Sequence, residues 1–510
     1  MLSVKGLSKH YGARALLDDV AFTIGEGERV GLVGRNGCGK TTLLRIIAGH
    51  DAASSGFCSS LQHGRSLGYL PQTADFPAAM TVIEAARSCA SAGVPEWSVR
   101  KALVQLGIGP GWFERPVRTL SGGETTRLML AVLLACGHDL LLLDEPTSHL
   151  DIAALEWLER ALASSGAAVV VASHDRVFLD RIASRILELE DGRIAAYHGG
   201  YTDYAAQKQA ELERRHDAYV LQQKQIRALR ELADRQMRWA ARCESGPKAG
   251  SDRRGRIAAK IARRGHATER KLTQIERVQD VRDRDGLNAA FAPARQAGGV
   301  VVEARDVAKR YGDRTLYEGV TLTVRAGERI GIVGANGAGK STLVRMLLGA
   351  EEPTSGSVRL GPSVSAYLLD QNQQALPNDA SVLDVVLNSG GLAQTDARTL
   401  LACFLFREGD VLKKVRSLSG GERVRLAMAQ ALVSGANTLV LDEPTDRLDT
   451  MTRERLEQSL AAFSGTLIVV SHDRWMLDRL TKRTIAIGDG RVTDYAGRFS
   501  EWAARLPAVE

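Results

Sequence analysis

GEGERVGLVGRNGCGKTTLLR, Gly25 to Arg45, decides the fold, because nearly the same string returns as RAGERIGIVGANGAGKSTLVR, Arg325 to Arg345. Each copy runs from a short Val/Ile/Leu-rich strand through a glycine turn into a helix. Gly34 to Thr41 (GRNGCGKT) and Gly334 to Ser341 (GANGAGKS) fit the phosphate-binding loop pattern. Its glycines let backbone N–H groups converge on phosphates at a helix N-terminus, whose dipole favours anions. A glycine turn with an unrelated lysine would not explain the preceding strand, the following helix and the duplication together. The candidate nucleotide-binding loops are therefore Gly34, Asn36, Gly37, Gly39, Lys40, Thr41 and Thr42, and Gly334, Asn336, Gly337, Gly339, Lys340, Ser341 and Thr342. Lys40 and Lys340 are expected on the β- and γ-phosphates, and the hydroxyls of Thr41 and Ser341 on Mg²⁺.

Outward from these loops the duplication continues. KHYG at Lys9 recurs as KRYG at Lys309, LSGGE at Leu120 recurs at Leu418, LDEPT at Leu143 recurs at Leu441, and SHDR at Ser173 recurs at Ser471. The offset is 300 residues between Lys40 and Lys340 and 298 between Ser121 and Ser419, a drift that loops absorb. A repeat of this length is a duplicated domain. Continuous apolar runs such as Leu140 to Asp144 and Ala167 to Ala172 read as strands buried on both faces. Alternating with helical stretches, they predict an α/β fold with a largely parallel sheet in each copy.

A chain of 510 residues with 44% hydrophobic residues can bury two such cores. Its six cysteines are scattered without a CxxC pair, the pattern of thiols in a reducing cytosol. The first residues, MLSVKGLSKHYG, enter a strand pattern without the layout of a signal peptide. No apolar run reaches the roughly 18 residues of a membrane helix. The expected organisation is a first domain at 1–203, a linker at 204–299 and a second domain at 300–510.

The linker differs in kind. Ala205 to Gly299 holds 22 Lys and Arg against 12 Asp and Glu, a net +10, which leaves −3 for the rest of a chain whose total is +7. The basic excess points to an anionic partner there. From about Tyr204 to Arg242 there is neither Pro nor Gly, and Leu212, Tyr219, Ile226, Ala233 and Ala240 recur every seven residues beside Leu229, like one edge of a coiled coil. Cys243 to Gly255, with four Gly or Pro residues, reads as a turn. A second helix follows, with Ile257, Ile261, Leu272, Ile275 and Val278 on one face. The prediction is an antiparallel helical hairpin. Lys248, Arg253, Arg254, Arg256, Lys260, Arg263, Arg264, Arg270 and Lys271 gather near its turn, as in salt-dependent, sequence-tolerant RNA binding. A solvated spacer helix is the plainer alternative. Trp239 and Tyr219 are candidates for base stacking, although Tyr219 falls on the seam.

LLLLDE (Leu140 to Glu145) and TLVLDE (Thr438 to Glu443) end a buried strand on two carboxylates. Asp144 and Asp442 suit Mg²⁺, and Glu145 and Glu443 suit polarisation of an attacking water. With LSGGE present twice, both halves resemble the ATP-binding cassette superfamily, whose signature motif this is. The resemblance implies two P-loop ATPase cassettes in tandem, each signature facing the other cassette's nucleotide. Ser121, Gly122 and Gly123 would close over ATP on Lys340, and Ser419, Gly420 and Gly421 over ATP on Lys40. It further implies adenine stacking by Tyr11 and Tyr311, which as sequence read equally as strand-edge aromatics. Gln72 (in GYLPQ) and Gln371 (in AYLLDQ) match the glutamine that senses Mg²⁺ and water. His174 and His472 match the switch histidine at the γ-phosphate.

Within the superfamily the chain resembles the ABC-F branch. The features are EPTSHLD (Glu145 to Asp151), two cassettes without a membrane segment, a long charged linker entered through HGGYTDY (His198 to Tyr204), and YAGRFSEW (Tyr495 to Trp502) closing the second copy. The second loop reads EPTDRLD, with Arg447 where the branch usually has His. The resemblance implies a cytoplasmic, monomeric ATPase. It would clamp its cassettes on two Mg²⁺-ATP and place the linker near the ribosomal exit-tRNA site, toward rRNA and P-site tRNA. The work would be ribosomal protection against an antibiotic or relief of stalled translation, with no DNA or membrane partner. The rival reading is the energy subunit of an importer with separate membrane subunits, in which a long basic hairpin has no evident task.

Overall fold

The computed structural model describes residues 2–59, 65–72, 76–77, 79–90, 93–148, 150–245, 252–274, 298–370, 376–406, 409–445 and 448–505. In the first repeat the strands are β1 (Leu2–Tyr11), β2 (Arg14–Ile24), β3 (Arg29–Val33), β4 (Ser55–Ser59), β5 (Leu67–Leu70), β6 (Leu140–Asp144), β7 (Ala168–Ala172), β8 (Arg185–Glu190) and β9 (Arg193–His198). The main sheet has the order β5-β6-β7-β3-β8-β9. Its first five members pair in parallel, with Leu143 beside Val171 and Leu32 beside both Ala172 and Leu187. β9 closes the edge antiparallel. Every residue of β6 and β7 is buried, which is why LLLLD and AVVVA show no polar alternation. A second, antiparallel sheet has the order β2-β1-β4.

The other repeat builds the same pair. Its main sheet runs Ala366–Leu369, Thr438–Asp442, Thr466–Val470, Arg329–Gly334, Arg483–Gly488, Arg491–Tyr495, and its small sheet Arg314–Arg325, Val300–Tyr311, Ser355–Leu360. Leu32, Leu43, Leu142 and Val170 knit the first core between sheet and helix, and Ile332, Leu343, Val440 and Ile468 the second. The carboxyl ends of β3, β6 and β7 therefore meet along one edge, where ligands of parallel α/β sheets bind.

Met1–Tyr204 and Asn288–Glu510 form one compact unit that contains both repeats, and Ala205–Leu287 form another. No described helix is long and apolar enough to cross a membrane. The linker opens with a helix of 45 residues, Tyr201–Ser245, roughly 68 Å long at 1.5 Å per residue. A second helix, Asp252–Gln274, follows. Both helices thus extend into the stretch Cys243 to Gly255 that the sequence reads as a turn. Cys243 and Glu244 do not break a helix, and Gly255 falls at the start of the next one, where a poor helix former costs least. Residues 246–251, with Lys248, lie outside the described residues, as do Ile275 and Val278. On the expected seam Ile226 and Ala233 are buried, and Leu212, Tyr219 and Leu229 are half-buried. On the second helix Ile261 is buried while Ile257 is exposed, so the buried stripe begins one turn later than its apolar residues do.

Candidate active site

The nucleotide loops need glycine for reasons visible in the backbone. Gly34 has φ 155°, and a Cβ there would lie 2.5 Å from the Leu189 carbonyl oxygen. Gly334 has φ 156°, and its Cβ would lie 2.4 Å from the Ile487 carbonyl oxygen. No other residue type fits either place. Gly39 and Gly339 then turn left-handed and cap the helices Lys40–Ile47 and Lys340–Leu347. Lys40 Nζ donates to the Gly34 and Arg35 carbonyls at 2.7 and 3.2 Å, and Lys340 Nζ to those of Gly334 and Ala335 at 2.9 and 3.1 Å.

Beside each loop sits a hydroxyl–carboxylate pair. Thr41 hydrogen-bonds Asp144, and Ser341 hydrogen-bonds Asp442. Burial pushes both aspartic acids above their usual range, against the pull of these hydroxyls and the nearby lysines. Asp144 Oδ2 is buried without a hydrogen-bond partner, so hard oxygen donors stand ready beside the loop, the set that Mg²⁺ prefers. Gln72 lines the same cleft. Gln371 lies outside the described residues.

The next residue in each strand–turn bends sharply. Glu145 and Glu443 have φ 51° and 49°, left-handed conformations rare for a side chain of this size. Each is held there by its amide, which donates to Ala172 O at 2.8 Å or Val470 O at 2.9 Å. Burial pushes the Glu145 carboxyl up to about 7, opposed by the charges of Lys40 and Arg453. His174 Nε2 stands 3.4 Å from Glu145 Oε1, and His472 Nε2 stands 3.6 Å from Glu443 Oε1. Burial, helped by Lys40 and Arg453, holds His174 well below the ordinary imidazole value. Burial and Lys340 bring His472 down to about 3. Both rings are neutral at pH 7.

A cleft of about 1710 Å³ between the cassettes is lined by both nucleotide loops, both glutamates, both histidines, Tyr311 and Ser121 to Gly123. Ser121 and Ser419 cap the signature helices, accepting from the Glu124 and Glu422 amides at 3.4 and 3.3 Å, with Gly122, Gly123, Gly420 and Gly421 in the first turn. Ser419 to Gly421 are not on the cleft wall, but Arg425, on their helix, is within electrostatic reach of Arg35 in the first loop. Tyr11 is also off the wall. Both tyrosines are about half exposed, with Tyr11 Oη 3.4 Å from Asp51 and Tyr311 bonded to Glu351.

The sequence reading missed the residues that join the cassettes. Asp449 Oδ2 accepts from the Asn36 amide at 3.2 Å, and Asp151 Oδ2 accepts from the Asn336 amide at 3.3 Å. Each aspartate thus touches the opposite nucleotide loop while its other oxygen caps its own helix, at Thr452 N (2.9 Å) and Ala154 N (3.0 Å). The signal was present as an Asp immediately before each helix, in EPTSHLD and EPTDRLD. Deeper in the interface, Arg176 of the first SHDR binds Glu457 through both carboxylate oxygens, and Arg474 of the second lies 2.5 Å from Glu159. The pairs are pseudo-two-fold mates, and all four side chains are nearly or fully buried.

A family model described as ABC transporter matches residues 17–148 and 317–446, and another of the same description matches 187–289. Over 99% of its length the chain is 37% identical to the ATP-binding protein Uup of Caulobacter vibrioides, of which it covers 80%. Over 96% it is 35% identical to the energy-dependent translational throttle protein EttA of Haemophilus influenzae, of which it covers 92%. Among solved structures it resembles that of the archaeal ribosome recycling factor aABCE1 in complex with ribosomal stalk protein aP1. The TM-score is 0.68, covering 98% of this chain and 92% of that one, and at 21% identity the likeness shows the fold alone. Tandem cassettes with complementary faces, the matched segment between them and full-length identity to these relatives lead to one conclusion: the chain belongs to the ABC-F family of ATP-binding cassette ATPases.

Proposed function

We propose that this ATPase acts in the cytoplasm on the ribosome, as a monomer whose two cassettes close on two nucleotides. Lys40 and Lys340 bind the β- and γ-phosphates. Thr41, Asp144 and Gln72 hold one Mg²⁺, and Ser341, Asp442 and Gln371 the other. The metal, when bound, neutralises phosphate charge. Glu145 and Glu443 polarise water, with His174 and His472 at the γ-phosphate and Tyr11 and Tyr311 against adenine. Ser121, Gly122 and Gly123 complete the site on Lys340, and Ser419, Gly420 and Gly421 that on Lys40. In this reading 1–203 and 300–510 are the cassettes and 204–299 the RNA-facing linker, which enters near the exit-tRNA site and acts on the peptidyl-transferase region. Its task is protection from an antibiotic or relief of a stall.

The observation that carries the reading is the charge of the linker. On Asp252–Gln274, Arg256, Lys260, Arg263, Arg264 and Arg270 are all exposed, in a segment of net +10. Trp239 is exposed as well, whereas Tyr219 is half-buried beside His216. The side chains of Arg253, Arg254 and Lys271 lie outside the described residues. Such a stripe neutralises phosphates and releases counterions, and the name of the translational throttle relative agrees with an RNA machine as partner.

The test is co-sedimentation of the Glu145→Gln, Glu443→Gln double variant with ribosomes, with and without ATP, over a salt series. ATP-dependent pelleting that weakens steeply with salt is expected. A variant that stays in the supernatant throughout removes the ribosome as partner.

A further inference from the structure

The two sites differ where the helix behind each capping aspartate reaches into the opposite cassette. By the 298-residue offset, Ile152 matches Thr450 and Leu155 matches Arg453. Thr450 Oγ1 lies 3.1 Å from His174 Nδ1. Arg453 Nη1 donates to the His174 carbonyl at 3.0 Å and stands 3.6 Å from Asp473 Oδ2, while its Nε donates to Leu448 O at 3.0 Å. Its side chain is 14% exposed. It forms a bridge across the interface from the helix Thr450–Ala462 to the turn that carries His174.

Among the described residues the other site has no such bridge. Leu155 is apolar and buried. Ile152 packs against the cluster of Val333, Leu477 and Phe499. His472 Nδ1 is buried without a hydrogen-bond partner, and its Nε2 lies 3.1 Å from both Lys340 Nζ and Asn336 Oδ1, only one of which a given tautomer can bond. Among the described residues, His174 is thus hydrogen-bonded from the facing cassette, whereas His472 meets that cassette through the charge of Asp151 and not through a hydrogen bond.

We infer that Arg453, assisted by Thr450, is a positioning residue for the nucleotide site on Lys40 alone, so that the two ATP molecules are turned over unequally, the one beside Glu145 faster. A hydroxyl on Nδ1 fixes the plane of the His174 ring. The guanidinium holds the turn in place only when the cassettes are docked, which ties that site's geometry to closure. Leu155 offers Glu443 and His472 none of these.

The inference rests on the glutamates acting as proposed above, so the experiment separates the two ideas. Glu443→Gln leaves the site on Lys40 active, Glu145→Gln leaves the site on Lys340, and the double variant controls for both. The Glu443→Gln chain is expected to hydrolyse ATP faster than the Glu145→Gln chain. Adding Arg453→Leu is expected to slow the first about tenfold, as for other losses of positioning, and the second by less than twofold. In the Glu443→Gln chain the loss is expected to fall on kcat, with KM for ATP little changed, as for a group that positions the catalytic turn. Arg453→Lys, which can still donate to the His174 carbonyl, is expected to recover part of the lost rate. Turnover by the double variant would sink the reading of the glutamates and the inference with it. An inactive double variant with equal responses in the two single backgrounds would sink the inference alone. Loss of all turnover in either single variant would mean that the sites do not fire separately, and would also overturn a role confined to one of them.

Discussion

Glu145 is held against two preferences at once, with a left-handed backbone and a carboxyl buried beside a neutral histidine. Its folded-state pKa, about 7, lies above the ordinary 4.5. The fold therefore favours the protonated acid. Below pH 4.5 both folded and unfolded chains are protonated and no penalty exists. Between 4.5 and 7 the unfolded chain ionises first and stability falls, and above 7 the loss is constant at roughly 3 kcal/mol. Glu145→Gln is accordingly expected to stabilise the nucleotide-free protein by that order at pH 8 and hardly at pH 4, as read by urea unfolding at the two pH values. An equal effect at both would remove burial as the cause. Gly34→Ala, whose new methyl would meet the Leu189 carbonyl oxygen, is expected to abolish ATP binding at the site on Lys40, as equilibrium titration in the presence of Mg²⁺ would show. At this scale the sequence was most legible where chemistry is local. Lys40, Thr41 and Gly39 share one turn, so a short string carries their meaning. Arg453 was illegible because its partner, His174, lies 279 residues away and only docking of the cassettes brings them together.

The capping aspartates belong to the scale of elements, where one side chain serves two structures. Asp449 starts the helix Thr450–Ala462 with one oxygen and meets the facing nucleotide loop with the other. Asp449→Ala loses both roles and is expected to cost about 1 kcal/mol of stability for the missing cap. Asp449→Ser restores a capping hydroxyl but has no second carboxylate oxygen for Asn36. Its urea midpoint is expected to return toward the parent's while its ATP turnover stays low. Recovery of both together would show that the cross-cassette hydrogen bond does nothing for turnover. The strands were readable from unbroken apolar runs because both faces of the sheet are covered. The linker's turn was overdrawn because composition marks where a helix is permitted to stop, whereas hydrogen bonding carries Tyr201–Ser245 past Arg242.

For the unit formed by both cassettes, the buried pairs Arg176–Glu457 and Arg474–Glu159 decide how docking is specified. Neither pair was foreseen, since SHDR draws the eye to its histidine and the glutamates lie mid-helix with no motif around them. Burying an ion pair gains little over apolar residues of similar size, because desolvation offsets most of the attraction. Removing one partner leaves a charge stranded in the interface. Arg176→Met alone is therefore expected to destabilise the docked unit by about 3–5 kcal/mol, since Glu457 is fully buried and, among the described residues, retains Arg479, at 3.4 Å, as its ion-pair partner. Arg176→Met combined with Glu457→Leu is expected to recover to within about 1 kcal/mol of the parent or to exceed it, because Arg479 is 44% exposed and can turn to water. Calorimetric unfolding of the three proteins compares them directly. If the double variant is as unstable as the single one, the pair contributes attraction as well as register. If it is stable but no longer closes on ATP, the arginines are retained to select one docked geometry, and the pseudo-two-fold placement of the two pairs is the means of selection.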